Sequence, residues 1–270
     1  PDSLRERGLR GEPFDVLISC IASRGGAPAD ALRVDRDANL QLIGAAQAAG
    51  AHMILLSAIC VQKPRLAFQH AKLEAEQALA ASGLRYSIVR PTAYFKSLAG
   101  QLQRVQRGKP FLLFGNGELT RCKPISEADL AGFIVDCIAD PGKQQRVLPI
   151  GGPGPALSPR QQGMLLFELC ERPARFRSLP TGLFDHVIKL LDTLSRLFPR
   201  LADKAEFARI GRYYASESML VWDEATGRYD ADATPETGSD TLRHFYEEKL
   251  EQGMAGQALG EHALFDRSNR

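Results

Sequence analysis

The sequence contains no run of eighteen apolar residues, so none of its helices is expected to cross a bilayer. Neither charge is in excess. Lys and Arg number 34 against 32 Asp and Glu, a net charge of +2 spread evenly along the chain, which excludes the basic face of a nucleic-acid-binding protein. There is no C-x-x-C pair. The five cysteines (Cys20, Cys60, Cys122, Cys137 and Cys170) are odd in number and far apart, which excludes a disulfide framework and points to reduced, partly buried thiols in an intracellular protein. His52, His70, His186, His244 and His262 are scattered without ligand spacing, so no protein metal site is expected. Repeats and low-complexity tracts are absent, and Trp222 is the only tryptophan. Pro1 is not an initiating residue and no targeting peptide can be read, so the expectation is a chain that lacks its front.

At 270 residues and 44% hydrophobic, the chain is long enough for one large domain or a domain with a second lobe. Phe14–Ile21 (FDVLISCI) has the composition of a buried strand ending in Ala22 and Ser23. Asp37–Gly50 is an alanine-rich helix with Leu40, Ile43 and Ala46 on one face and Gly50 ending it. Ile54–Leu56 is a second buried strand. Pro64 breaks the connection to a helix that runs through Lys72 to about Ala81. Tyr86–Arg90 (YSIVR) is a third strand, closed by Pro91. Strands alternating with helices at this spacing imply a parallel sheet with right-handed crossovers. Further on, the pattern predicts a helix over Phe95–Val105, a short strand over Pro110–Phe114, and a helix opened by Ser126-Glu127-Ala128-Asp129 as a capping box. Arg146–Ile150 is a strand leading into the turn Gly151-Gly152-Pro153-Gly154, and Ser158 with Pro159 starts another helix. Leu183–Phe198 is an amphipathic helix, and the region from Gly211 onward is polar and turn-rich.

A dinucleotide fold needs a glycine-rich turn between its first strand and first helix, so that backbone amides can approach a pyrophosphate. Gly115-Asn116-Gly117 and Gly151-Gly152-Pro153-Gly154 do not continue as G-x-G-x-x-G, and both follow the third strand. If Phe14–Ile21 is the fourth strand of such a sheet, three strands lie upstream of Pro1; at ~30 residues per βαβ unit this is roughly 80 residues. The fold class expected is therefore α/β: a doubly wound parallel, Rossmann-type sheet lacking its first strands, with a smaller C-terminal α+β substrate lobe. Residues 1–150 would form the C-terminal half of the dinucleotide-binding domain with early insertions from the lobe. Residues 151–270 would form the lobe and tail.

The stretch His52–Lys72 carries the chemistry. Ser57 sits where the second strand ends, and Phe68 and Lys72, four apart, project from one face of the following helix. A Ser at a strand's carboxyl end followed by an aromatic-x-x-x-Lys helix resembles the short-chain dehydrogenase site, in which Ser and Lys flank a nicotinamide ribose. Phe68 stands where that site has Tyr, and without a phenol the ordinary alcohol–ketone exchange is excluded. Spacing alone also allows a plain solvated lysine at position 72 and a core-facing aromatic at 68. The strip from Ser19 through Cys20 and Ala22 to Ser23 is an ordinary strand end or a path past the adenine-side ribose. Arg90-Pro91-Thr92 is either turn chemistry or the nicotinamide edge. Tyr94 is a surface residue or one that reaches the substrate. The stripe Leu183, Phe184, Val187, Leu191, Leu194 and Phe198 is first of all core packing; the other readings are the wall of a flat macrocycle pocket and a membrane-facing surface.

Longer strings carry a resemblance. Ser57–Pro64 (SAICVQKP), Phe68–Leu73 (FQHAKL), Ile88–Gln101 (IVRPTAYFKSLAGQ) and Phe114–Glu127 (FGNGELTRCKPISE) are similar to the divinyl chlorophyllide 8-vinyl-reductase family. So are Leu148–Gly154 (LPIGGPG), Arg209–Asp223 (RIGRYYASESMLVWD), Asp232–Pro235 (DATP) and Gly253–Gly260 (GMAGQALG), and the likeness runs from Phe14 to about Phe265. That family is an atypical branch of the short-chain dehydrogenases that also carries Phe in place of Tyr. The resemblance implies NADPH as cofactor, a tetrapyrrole substrate whose 8-vinyl group is reduced to ethyl, and no nucleic-acid partner. It implies no spanning segment, with peripheral membrane contact open, and a location in the bacterial cytoplasm or in the chloroplast of a plant or alga. By the same resemblance Lys72 and Tyr94 are the catalytic candidates. Ser19, Cys20, Ala22, Ser23, Ser57, Lys72, Arg90, Pro91 and Thr92 are the cofactor-binding ones. The alternatives are a non-catalytic NADP-binding regulator and a respiratory-complex assembly protein of the same fold.

Overall fold

The computed structural model describes residue 8, residues 10–198 and residues 200–253. All of the matched string Gly253–Gly260 except Gly253 lies outside the described residues. The strands in chain order are β1 (Val16–Ser19), β2 (His52–Leu56), β3 (Tyr86–Pro91), β4 (Phe111–Phe114), β5 (Arg146–Ile150), β6 (Phe176–Leu179), β7 (Val221–Asp223) and β8 (Arg228–Asp230). The helices are α1 (Pro28–Asp30), α2 (Asn39–Ala49), α3 (Ala67–Ala80), α4 (Phe95–Leu98), α5 (Leu102–Gln106), α6 (Glu127–Ala139), α7 (Pro159–Leu169), α8 (Gly182–Ser195), α9 (Leu201–Ser216) and α10 (Leu242–Gln252). The chain forms two compact units, Pro1–Pro91 with Ala131–Pro149 and Thr92–Leu130 with Ile150–Arg270. It therefore passes between them three times. The second unit, expected as the smaller lobe, takes the larger share of this chain.

The first unit is built on a four-stranded sheet in the order β1-β2-β3-β5. β1 and β2 run parallel, Val16 opposite His52 and Ser19 opposite Leu55. β2 and β3 are also parallel, Met53 opposite Tyr86 and Leu56 opposite Val89. β2 is buried from His52 to Leu55, as a strand covered on both faces requires. It starts two residues before the expected Ile54, because His52 is also buried and places Nε2 3.2 Å from the Ser87 hydroxyl. Leu17, Met53, Leu55 and Ile88 from the strands pack with Ile43, Ala46 and Leu79 from α2 and α3. β1 is shorter than the Phe14–Ile21 run. Phe14 packs against this core, whereas Cys20, Ile21 and Ala22 leave the sheet and are exposed.

The helix expected from Asp37 begins earlier. Pro28 takes the first position of α1, and a π-helical stretch, Ala31–Ala38, joins α1 to α2. The wider π turn lets Ala31, Asp35 and Asn39 all face inward, and each is buried. Gly50 ends α2 in the left-handed region with φ 65°, where a glycine carries no Cβ penalty.

The second unit pairs β4 with β6 in parallel and β7 with β8 in antiparallel fashion. Its core gathers Phe95, Leu102, Val105, Phe111, Leu113, Leu166, Phe167, Leu242 and Tyr246. Ser158 caps α7 as expected, its hydroxyl accepting from the Gln161 amide while Gln161 Oε1 accepts from the Ser158 amide at 2.8 Å. The capping box expected at Ser126–Asp129 is half made. The Asp129 amide donates to Ser126 Oγ at 2.9 Å, but the Asp129 carboxylate accepts from the Ser239 and Asp240 amides instead of returning to Ser126. Core packing for the Leu183–Phe198 stripe is overturned: α8 has no buried residue. Phe184 meets Phe114 at 4.9 Å, while Leu183, Val187, Leu194 and Phe198 stay exposed. Helical periodicity fixes which residues share a face, not whether another element covers it.

Candidate cofactor site

Ser57 leaves the carboxyl end of β2, its amide donating to Val89 O of β3 at 2.8 Å. The residue is buried, and its hydroxyl has no hydrogen-bond partner. Leaving a buried hydroxyl unpaired costs about 1–3 kcal/mol, so this oxygen fits a site that receives a polar group from a ligand. The phenol of an ordinary dehydrogenase is absent here, since Phe68 is a half-buried hydrocarbon ring on α3.

Lys72 lies one turn beyond Phe68. Its ammonium is 2.9 Å from Asp35 Oδ1, and the Asp35 side chain is fully buried. Ser23, in the loop after β1, donates its hydroxyl to Asp35 Oδ2 at 2.5 Å and its amide more weakly at 3.4 Å. Asn39 donates from Nδ2 to Asp35 O at 3.0 Å and accepts the Ser19 hydroxyl at 2.7 Å. The loop after β1, the π-helical turn and α3 are thus held together through one buried carboxylate. Asp35 and Asn39 were not singled out in the sequence. The signal available was weak: a carboxylate and an amide four apart, in a polar stretch that also carries Asp30, Asp37, Arg33 and Arg36.

The remaining candidates divide by what their side chains already do. Ser19 is buried with its hydroxyl given to Asn39. Cys20 and Ala22 are exposed, and partial burial of the Cys20 thiol raises its pKa above the usual thiol range. The Arg90 guanidinium forks onto the buried Glu76 carboxylate of α3, with Nε 3.1 Å from both oxygens. Arg90 therefore braces β3 to α3, and its side chain is occupied. Pro91 is buried. Thr92 and Tyr94 belong to the second unit. Thr92 donates its hydroxyl to Lys123 O and its amide to Ile150 O at 2.9 Å. Tyr94 is half-buried and bridges to Ile125 just before α4.

The second unit has its own pocket of about 170 Å³. Its lining includes the apolar Leu98, Phe111, Phe114 and Leu119, and polar groups from Ser97, Gln101, Thr120, Gln162 and Tyr214. Gln101 is already committed, bridging the backbone of Leu112 at 2.7 and 2.9 Å. Among the described residues no group of three or more His, Cys, Asp or Glu side chains could hold a metal ion.

A family model described as NAD(P)H-binding matches residues 11–141. The chain is 54% identical over 259 residues to the chloroplastic divinyl chlorophyllide a 8-vinyl-reductase of Oryza sativa subsp. indica, covering 94% of this chain and 64% of the relative. It is also 54% identical to the protein of that name from Zea mays, covering 94% and 65%. The chain thus spans somewhat less than two thirds of the length of these curated relatives. A solved UDP-glucuronic acid 4-epimerase from Bacillus cereus, in complex with NAD, superposes with a TM-score of 0.63 at 13% identity, covering 91% of this chain and 76% of the epimerase. That likeness is one of fold: a Rossmann-like α/β arrangement with a parallel sheet. With half or more of its residues shared along nearly all of its length, this chain is similar to the divinyl chlorophyllide a 8-vinyl-reductases of these plants.

Proposed function

We propose that this chain carries the NADPH-dependent reduction of the 8-vinyl group of a divinyl chlorophyllide, or a related chlorophyll or bacteriochlorophyll precursor, to ethyl. The observation that carries the reading is the 54% identity to relatives of that name over 94% of the chain. The geometry supports it. The unpaired Ser57 hydroxyl and the Lys72 ammonium held by Asp35 are donors of the kind a nicotinamide ribose takes, and Phe68 removes the phenol that carbonyl chemistry requires. The other proposed cofactor contacts are Ser19, Cys20, Ala22 and Ser23 after β1, and Arg90, Pro91 and Thr92 after β3. Since the Ser19, Arg90 and Thr92 side chains are engaged, those three are proposed to contribute backbone.

NADPH, when bound, supplies a hydride. A vinyl group conjugated to the macrocycle would take that hydride at its end carbon and a proton at the other, the charge between the two spreading over the ring. No carbonyl oxygen gains a proton, so a phenol aimed at one is dispensable. Lys72 would orient the ribose and contribute positive potential where charge develops; Tyr94 or a water would supply the proton. The reading includes peripheral contact with a membrane, in a chloroplast for a plant or alga and in the cytoplasm for a bacterium. The test is the absorbance shift of divinyl chlorophyllide incubated with the intact gene product. A shift to the ethyl product with NADPH, and none without it, is expected. No shift from a folded protein that binds NADPH would favour a cofactor-binding regulator instead.

A further inference from the structure

The turn Gly115-Asn116-Gly117, which does not continue as a phosphate-binding loop, forms part of the pocket in the second unit. Both glycines lie in the left-handed region, with φ 58° and 80°, where an added side chain is strained. A Cβ on Gly115 would stand 2.8 Å from Leu119 Cδ1, so the bare turn is what lets Leu119 fold back over it. Gly117 and Leu119 both line the pocket, as does Tyr214 of α9. Leu119 is 52% and Tyr214 41% exposed, so these two side chains stand at its mouth. No Asp, Glu, Lys, Arg or His lines it. Two of its polar groups are unspent. Thr120 is buried, and its hydroxyl makes no hydrogen bond to another described residue. Gln162 is also buried, and its Nε2 reaches Leu157 O and Cys122 Sγ only at 3.5 and 3.6 Å. Buried polar groups left in this state cost stability until a ligand pairs with them.

We propose that this pocket grips one neutral edge of the tetrapyrrole macrocycle. Its volume of about 170 Å³ is close to the roughly 150 Å³ of a cavity that holds a single benzene. It therefore takes one ring of the macrocycle with its small substituents, and not all four. The rest of the flat, apolar ring system lies on Leu119 and Tyr214 at the mouth, whose exposure it removes. Inside, Phe111 and Phe114 offer aromatic surface, and Thr120 and Gln162 donate to a carbonyl carried on the inserted edge. With no cation in the walls, the carboxylate of the substrate stays in solvent. An acyl chain would fill the same walls but leave both polar groups unpaired, which decides for the ring edge. The inference takes its ligand from the proposed function and stands on the second unit alone.

The experiment is a fluorescence titration of divinyl chlorophyllide with the intact gene product, without NADPH, so that binding is read apart from turnover. Thr120→Val keeps the shape and removes the hydroxyl, and is expected to weaken pigment binding about fivefold. Leu119→Glu sets a carboxylate at the mouth and is expected to weaken it about tenfold or more, whereas Leu119→Met should bind as the parent does. NADPH affinity is expected to stay unchanged in all three, which reports that each is folded. In turnover, Leu119→Glu should raise KM for the pigment with little change in kcat. Parent-like pigment affinity in both Thr120→Val and Leu119→Glu overturns the proposal, and leaves the reduction standing if the pigment is still converted. Weakened binding in those variants upholds the pocket even if the parent performs no reduction. A parent that binds NADPH but no pigment overturns the proposal outright.

Discussion

Asp35 sits at the centre of the first unit's polar network, receiving Lys72 from α3 and Ser23 from the loop after β1. A charge this deeply buried persists only when paired, and removing one partner of such a pair typically costs about 3–5 kcal/mol. Asp35→Asn and Lys72→Met should therefore each lower stability to urea by about 3 kcal/mol, with the double variant falling short of the sum by at least about 1 kcal/mol. Additive losses would show that the pair is not coupled. In the intact gene product, Asp35→Asn should also weaken NADPH binding about tenfold, or about 1.4 kcal/mol, because Lys72 loses the group that aims it. Unchanged affinity in a folded Asp35→Asn variant would confine Asp35 to a structural role. At this scale the sequence was legible in placement, where residues are spaced by a regular element: Ser57 follows the end of β2, and Phe68 and Lys72 stand one turn apart on α3. Asp35 was not legible, because its meaning comes from a π-helical turn and two partners 12 and 37 positions away. Arg90 shows the converse. Its position at a strand end suggested the cofactor, yet its fork is filled by Glu76 from a helix that sequence alone does not bring beside it.

Among the elements, strands covered on both faces were legible as apolar runs, and α7 was legible from Ser158 and Pro159, whose cap depends only on local residues. The start of α1 and its π-helical continuation were not. Asp30, Arg33, Arg36 and Asp37 make the segment look like a polar loop until the inward faces of Ala31, Asp35 and Asn39 are seen together. The stripe on α8 was visible as a stripe, but its openness depends on which elements pack nearby. Glycine substitutions separate local from packing effects. Gly44 lies within α2, exposed, and a Cβ there would meet nothing within 4 Å, so Gly44→Ala should raise stability by about 0.5–1 kcal/mol. A Cβ on Gly152 would stand 2.0 Å from Pro124 O and 3.1 Å from Ile125 Cα. Both are backbone atoms, which cannot swing aside, so Gly152→Ala should cost about 3 kcal/mol or more by overpacking. Urea unfolding of both variants checks the pair of signs. A Gly152→Ala variant as stable as the parent would mean that the turn after β5 yields easily.

For the whole molecule, the parallel alternation of strands and helices was enough to set the fold class. Insertions from the lobe within residues 1–150 were expected, but the bounds Thr92–Leu130 were not readable from composition, since that stretch has no linker-like flanks and its core partners, Leu166 and Tyr246 among them, come from far along the sequence. The sheet of the first unit also has a consequence for the 270-residue chain studied by itself. Among the described residues β1 pairs only with β2, so its other edge is an open row of backbone donors and acceptors. Ile18 at 42% and Ile21 at 38% exposure add apolar surface to that edge. An open apolar edge of this kind is a template for strand-to-strand association, so the 270-residue chain is expected to self-associate at micromolar concentration by light scattering. A lysine at position 18 (Ile18→Lys) should suppress the association by placing a charge on the strand. The same chain has no G-x-G-x-x-G turn. Ser57 and Lys72 alone, at about 1–3 kcal/mol for each hydrogen bond, do not replace backbone amides gathered around a pyrophosphate. Calorimetric titration of the 270-residue chain with NADPH should therefore show weak binding. Submicromolar affinity in a monomeric sample would mean that the first unit holds the cofactor without a glycine turn and that β1 is a true edge of its sheet.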